Sequence, residues 1–390
     1  MEPRDDLPTG DASWADLVDV RAGDRVLLVG TPDSPAHRAL SRTTTAVTVV
    51  DGAEALPGSG AGPEAGSWDW VCLDSTAAAV PASRWAALLA EAGRVVVVGD
   101  NRVSPVHVLD RWSGRSRGGT AEGRCRGRRR TQRDLVAAGL GVHQVFGLIR
   151  SAQAPAVAFD ALVDTSSAAV LQATVAHVGG WRGAALRSVA HLSPQRLLGV
   201  CPGWLVVAGR GEAAADRVVG KVSNRDSEEV KLLRGDPVSS VERRYLVSDP
   251  TAEVAALREL EVAGFPLAPR VLGESGAASS WCSWMPGATL TLDRLDDDAL
   301  VAWVARAARV LAELQRLTRR ADGTVLVHGD FWLGNLLTDG ERVSAVVDWT
   351  ESSRGPASLD RDFLVTSLER WIGSDALRER LEAARDEAMG

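Results

Sequence analysis

The run Val325-Leu326-Val327-His328-Gly329-Asp330-Phe331-Trp332-Leu333-Gly334-Asn335-Leu336-Leu337 is followed, after a short polar interval, by Val343-Ser344-Ala345-Val346-Val347-Asp348-Trp349. Two apolar, strand-like stretches therefore bracket a polar turn, and Asp330, Asn335 and Asp348 fall at turn or strand ends. Those residue types suit phosphoryl transfer. It needs one carboxylate to receive or orient a hydroxyl proton, then an amide and a second carboxylate to hold Mg²⁺ against a triphosphate. Folding the two stretches into a hairpin would bring these groups together.

The order H-x-D-x-x-x-x-N followed by a metal-binding Asp is that of the protein-kinase catalytic loop. His328-Gly329-Asp330 with Asp348-Trp349 more closely resembles the aminoglycoside phosphotransferase and choline kinase superfamily, a resemblance that spans residues 195–370. It implies a bilobal, protein-kinase-like α+β fold, with Asp330 as catalytic base, Asn335 and Asp348 as Mg²⁺ ligands and His328 as a structural support of the loop. Asp360, within Gly355-Pro356-Ala357-Ser358-Leu359-Asp360, matches a further acid implied to brace the loop from behind. The implied phosphoryl donor is ATP or GTP. The implied acceptor is a hydroxyl of a small molecule, with a peptide Ser or Thr as the alternative. Many relatives continue through further helices that shape the acceptor pocket, whereas this chain stops at Gly390.

The same resemblance assigns the other half of a triphosphate site. Trp204 to Arg210 and Arg217 to Val222 read as an antiparallel strand pair that carries Lys221, the residue implied to contact the α- and β-phosphates. Lysine occurs in this chain only at Lys221 and Lys231, every other basic side chain being arginine. A surviving lysine hints at a place where the wide guanidinium fork would not serve. Glu253, opening an amphipathic helix from Glu253 to Ala263, is the expected partner of Lys221, and Glu259 is its competitor. Gly199 and Gly203 occupy the place of a glycine-rich phosphate loop. Trp281 to Leu290 resembles the hinge between lobes, where Ser283 and Met285 would lie beside the nucleotide base. Ala299 to Leu317 reads as a core helix, with Leu300, Trp303, Val304, Ala307, Val310, Leu311 and Leu314 on one face.

The elements before this half are of another kind. Arg25 to Gly30, Ala46 to Asp51, Trp68 to Asp74 and Gly93 to Gly99 are continuous apolar runs, as in parallel strands buried on both faces, with a crossover helix from Ser83 to Ala92. Together with a short helix from Leu135 to Leu140 and two later strands, they resemble the Rossmann-like class I S-adenosylmethionine methyltransferases over residues 14–165. In Val29-Gly30-Thr31-Pro32-Asp33-Ser34-Pro35, prolines stand where a dinucleotide fold needs glycines, and Asp51 is the lone acid at the ribose position. The expectation is a degenerate α/β domain, with S-adenosylmethionine not expected as a ligand. A bifunctional methyltransferase-kinase and a non-catalytic nucleotide-binding scaffold are the alternatives. Residues 111–133 carry many arginines among glycines and serines and read as a solvated loop, or else as a clamp for an anionic partner.

Composition bounds the rest. The 390 residues suggest two domains: 1–165 Rossmann-like, 166–194 a connector, and 195–390 kinase-like, with its small lobe at 195–285 and its large lobe at 286–390. A hydrophobic content of 45% supplies ample core, and the net charge of -7 argues against general affinity for nucleic acid or anionic membrane. No apolar run reaches the ~20 residues that span a bilayer, and the acidic start Met1-Glu2-Pro3-Arg4-Asp5-Asp6 is unlike a signal peptide. Cys72, Cys125, Cys201 and Cys282 are scattered, which points to reduced thiols in the cytoplasm.

Overall fold

A computed structural model describes residues 13–50, 65–73, 81–101, 104, 127–149, 157–164, 166, 168–170, 193–223, 229–245, 250–273 and 279–390. Contacts divide the chain into two compact units, Met1–Thr174 with Gly180–Ser239, and Val175–Gly179 with Ser240–Gly390.

The first unit is built on strands β1 (Val26–Val29), β2 (Val47–Val50), β3 (Trp68–Leu73), β4 (Leu89–Asp100), β5 (Gly141–Ile149), β6 (Val157–Asp160), β7 (Gly203–Gly209), β8 (Val218–Ser223) and β9 (Glu229–Arg234). They lie in the order β9-β8-β6-β5-β7-β4-β3-β1-β2. Pairing is parallel from β2 through β1 and β3 to β4. It is antiparallel from β4 onward. The parallel strands are the continuous apolar runs: β1 is buried along its whole length, and Val95 to Val98 of β4 are buried as well. Helix α1 (Pro35–Thr43) starts where the Ser34 hydroxyl accepts the His37 amide and proline fills the first turn, and it buries Ala36, Ala39 and Leu40. Helices α2 (Ala82–Leu88), α3 (Arg128–Ala137) and α4 (Pro194–Val200) also belong to the unit.

Several expectations are revised here. The stretches 204–210 and 217–222 do not pair with each other. Strand β7 is buried at every position and takes β4 on one side and β5 on the other, while β8 pairs with β6 and β9. Residues 195–239, read from sequence as the start of the kinase-like half, thus pack with the first unit, and the units divide at Ser239. Of the arginine-rich segment 111–133, residues 111–126 lie outside the described residues, and Arg128 to Arg133 are helical, not loop. Asp51, Cys125 and most of the 166–194 connector also lie outside the described residues.

The second unit opens with β10 (Ser240–Tyr245), α5 (Thr251–Ala263), β11 (Val271–Gly273) and β12 (Ser279–Ser283), the strands in the order β11-β12-β10. Helix α5 stops at Gly264, whose φ of 74° provides a left-handed cap. Next come β13 (Ala288–Thr289), α6 (Asp297–Thr318), β14 (Val325–Val327), β15 (Leu336–Thr338), β16 (Val343–Val346), β17 (Ser353–Gly355), α7 (Ser358–Thr366) and α8 (Asp375–Met389). The carboxylate of Asp296 accepts the Ala299 amide and, with Asp297 and Asp298, gives α6 an acidic start. Leu300, Trp303, Val304, Ala307, Leu311 and Leu314 of α6 pack with Leu257 and Leu260 of α5, Leu364 of α7 and Leu381 of α8 in one core. The runs flanking the loop from His328 to Asn335 do not form the single hairpin expected from sequence. β14 pairs with β17, and β16 pairs with β15, which also takes β13.

Candidate active site

The loop from His328 to Asn335 begins where β14 meets Gly329, whose φ is +85°. A Cβ there would stand 2.4 Å from the Glu351 carbonyl oxygen, so only glycine passes. Asp360, in the first turn of α7, accepts the amides of His328 at 2.7 Å and Gly329 at 2.9 Å. Burial pushes the Asp360 carboxyl up, the two amides pull it back, and the Asp330 charge pushes it up again. The fully buried His328 accepts the Asp330 amide on Nδ1 at 3.3 Å. Its proton therefore lies on Nε2, which donates to the Val347 carbonyl at 3.1 Å. Burial lowers the imidazole to about 4, so the ring is neutral and ties the loop to the chain just before Asp348. Trp349, with its ring centroid 4.5 Å from that of His328, walls it in.

Asp330 is half-buried. Asn335 Nδ2 donates to its main-chain oxygen at 2.9 Å and to its Oδ2 at 2.8 Å. Burial raises the Asp330 carboxyl first, the Asn335 bond lowers it, and the charges of Asp348 and Glu351 raise it. With Nδ2 committed, the Asn335 amide presents its oxygen to any cation. Asp348 follows β16 with φ +71°, a left-handed conformation uncommon outside glycine and typical of functional turns. The Val347 amide donates to the Asn335 carbonyl at 3.0 Å, which ties the two segments together.

A cation of the same unit faces this cluster. Arg243 on β10 donates Nη1 to Glu253 Oε1 at 2.7 Å and stands 3.5 Å from Asp348 Oδ1. The Tyr245 hydroxyl donates to the other Glu253 oxygen and contacts Ser280 Oγ at 3.2 Å. Burial, then the Glu253 charge, pushes that phenol well up, so it remains a donor.

Among the described residues no group of three or more His, Cys, Asp or Glu side chains is arranged to hold a metal. The pair Asn335 and Asp348 offers one amide oxygen and one carboxylate. That suits a hard cation such as Mg²⁺, which takes few protein ligands and completes its shell with phosphate oxygens and water. The charges of Asp348 and Glu351 help to raise the Asp330 carboxyl, and a divalent cation would relieve that.

The structure thus gathers Asp330, Asn335, Asp348, His328, Asp360 and Glu253 into one unit. It does not gather Lys221, Gly199 or Gly203. Lys221, wholly buried in β8, donates to the Ser13 carbonyl and to Asp16 Oδ2, both at 2.6 Å. Gly199 lies in α4, and its carbonyl accepts from Asn101 Nδ2 at 3.1 Å. Gly203 is the first residue of β7, paired with Asp100 and Leu148, so neither glycine forms a phosphate-cradling turn. At the hinge, the Ser283 amide donates to the Arg270 carbonyl at 2.8 Å, while Ser283 Oγ accepts the Arg270 amide and lies 3.9 Å from Met285 Sδ. Glu259 pairs with Arg354 and Arg320. Arg243 is the residue that sequence reasoning missed. Its signal was its place on the strand directly before the helix that carries Glu253, and the scarcity of lysine drew attention to Lys221 instead.

A neutral histidine and a buried acid hold a loop that presents a carboxylate, an amide and a second carboxylate, and an arginine-glutamate pair faces them. Those residue types in that arrangement suit phosphoryl transfer. The model of the phosphotransferase enzyme family matches residues 238–324 and 315–389. No curated protein matches the chain. Solved structures similar to it include macrolide 2'-phosphotransferase MphH from Brachybacterium faecium (18% identity over 42% of this chain and 74% of that one, TM-score 0.31). A choline/ethanolamine kinase family protein from Mesorhizobium loti is also similar (18%, 41% and 67%, TM-score 0.32). So is aminoglycoside phosphotransferase APH(3'')-Id from Streptomyces rimosus (18%, 43% and 92%, TM-score 0.28). Likenesses of that degree say nothing of activity or acceptor.

Proposed function

We propose that the second unit transfers the γ-phosphoryl group of ATP or GTP to a hydroxyl of a small molecule, with Mg²⁺. The observation that carries this reading is the loop geometry: Asp330 held by Asn335, next to Asp348, with Arg243 bridging toward Glu253. Asp330 would take the proton of the acceptor hydroxyl. The acceptor oxygen then bonds to the γ-phosphorus, the bond to the β–γ bridging oxygen breaks, and the nucleoside diphosphate leaves. Arg243, held at the cluster by Glu253, would stabilise the negative charge of the phosphates. Mg²⁺, held by Asn335 and Asp348, would supply the remaining neutralisation. His328 and Asp360 act only by fixing the loop.

The expected outcome for Asp330→Asn is loss of phosphoryl transfer, measured as slow nucleotide hydrolysis or as acceptor phosphorylation, with Mg²⁺-nucleotide affinity retained. Turnover equal to wild type would remove Asp330 from the mechanism. A second reading, a nucleotide-binding scaffold without turnover, is favoured by one observation. The cation on Glu253 is an arginine, and its fork does not match the point charge of an ammonium. Nucleotide binding without any hydrolysis in wild type would select that reading.

For the first unit we propose a Rossmann-like domain without a catalytic role, supported by the parallel order β2-β1-β3-β4 and by the prolines after β1. Among the described residues no helix is long and apolar enough to cross a membrane. The buried free thiols of Cys72, Cys201 and Cys282 support a reducing, cytoplasmic setting.

A further inference from the structure

Arg243 and Tyr245 stand two residues apart on β10, so both side chains leave the same face of the sheet. They converge on one carboxylate, that of Glu253, which is buried in the first turn of α5. Arg243 Nη1 donates to Oε1 at 2.7 Å, and the Tyr245 hydroxyl donates to Oε2. Ser280, opposite Arg243 on β12 and fully buried, meets that hydroxyl with its Oγ at 3.2 Å. The tyrosine ring is buried as well, so the direction of its hydroxyl is fixed by packing. A guanidinium left alone with a carboxylate tends to close on it with two parallel bonds, one to each oxygen. Here the phenol holds the oxygen that the second bond would use. The consequence falls on Nη1, which bonds Oε1 and also stands 3.5 Å from Asp348 Oδ1. A two-pronged grip would draw the guanidinium plane onto Glu253 and away from Asp348.

We propose that Tyr245 is a positioning residue that lets an arginine serve where a point-like cation is needed. By holding Oε2 it presents Glu253 to Arg243 through a single oxygen, and so keeps the guanidinium turned toward Asp348 and the phosphates of a bound nucleotide. The proposal rests on the phosphotransferase reading for that nucleotide. It also answers the mismatch between the arginine fork and an ammonium, because a fork engaged by one prong makes the same single contact that a lysine would make. Tyr245 acts through Glu253 and Arg243 and not on the substrate. Burial, then the Glu253 charge, keeps its phenol protonated, so the hydroxyl stays a donor while Glu253 stays an acceptor.

The test is a double-mutant cycle on the full chain, read as Mg²⁺-ATP affinity by calorimetry, together with a crystal structure of Tyr245→Phe. That variant keeps the buried ring and removes the hydroxyl. It is expected to weaken Mg²⁺-ATP binding about tenfold, the order of one hydrogen bond to a charged group. Its crystal structure is expected to show the Arg243 guanidinium bonded to both Glu253 oxygens. In an Arg243→Lys background no fork exists to close, and the same change is expected to cost less than about twofold. A tyrosine that only supported the fold would cost as much in both backgrounds, and that result overturns the proposal. So does unchanged affinity in Tyr245→Phe, or a guanidinium that still bonds Oε1 alone in its crystal structure. Should Tyr245→Phe fail to fold, wild type crystallised with Mg²⁺-ATP decides: Tyr245 on Oε2 with Arg243 on Oε1 and phosphate upholds the role, and a fork closed on both oxygens overturns it. Absence of Mg²⁺-ATP binding in wild type removes the phosphotransferase reading instead, and the nucleotide-free crystal structure of Tyr245→Phe then decides the positioning role by itself.

Discussion

Asp348 sits at φ +71° and His328 is neutral in a sealed site, and each fact leads to a measurement. Asparagine tolerates the left-handed region nearly as well as aspartate. Asp348→Asn is therefore expected to keep the fold while losing the Mg²⁺-dependent part of nucleotide binding, read by titrating ATP with and without the metal. Equal metal dependence in the variant would take Asp348 out of the ligand set. For His328, the folded imidazole titrates at about 4 against an ordinary value of 6.5. Between those values the unfolded chain binds a proton that the folded chain does not, so this group's contribution to stability is intact above 6.5 and falls as the pH drops toward 4. The span corresponds to about 3 kcal/mol. Melting of wild type and His328→Asn, compared from pH 7 to pH 4.5, is expected to show a steeper acid loss in wild type. Parallel curves would show that the histidine is not buried neutral.

At the level of elements, a single buried ammonium ties β8 to the turn Trp14–Leu17. That turn is closed by a reciprocal pair, the Ser13 hydroxyl accepting the Ala15 amide and the Asp16 carboxylate accepting the Ser13 amide. Lys221 joins both residues at 2.6 Å. Lys221→Met is expected to destabilise the first unit by about 3 kcal/mol, because breaking a buried ion pair from one side is costly. Amide exchange at residues 13–17 would report it. The folded fraction is expected to bind Mg²⁺-ATP as wild type does. Unchanged melting together with lost nucleotide affinity would return Lys221 to the phosphate role that the sequence suggested. The arginine-led helix α3 shows the same limit of local reading. Three arginines at its start oppose the helix dipole, and the helix forms because Thr131 and Leu135 are buried against the unit.

For the whole molecule, the consequence lies in where one unit stops. A fragment beginning at residue 195, the boundary read from sequence, would contain β7 but neither of its neighbours, since β4 and β5 end at Asp100 and Ile149. All the backbone groups that β7 pairs in the full chain would need new partners. Amides 203–209 are expected to exchange freely in that fragment and to be protected in the full chain, and protection in both would contradict the sheet order.

The candidate catalytic loop was legible in the sequence because its groups are contiguous. From His328 to Asn335 the residue types, their spacing and the glycine that turns the chain are all local, and Asp348 follows after two short strands. Helices α5 and α6 were legible for a similar reason, since a repeating apolar stripe is a property of the segment itself. What the tertiary structure decided was partnership. Nothing in an apolar strand states which strand lies beside it, so β7 and β8 read as a pair when each belonged to other neighbours. Nothing in a lysine states which acid it will meet, so Lys221 went to Asp16, and Glu253 took Arg243 from the strand before its own helix. Strand pairing and ion pairing join residues far apart in the chain, and their free energy exists only after the backbone has closed the loop between them.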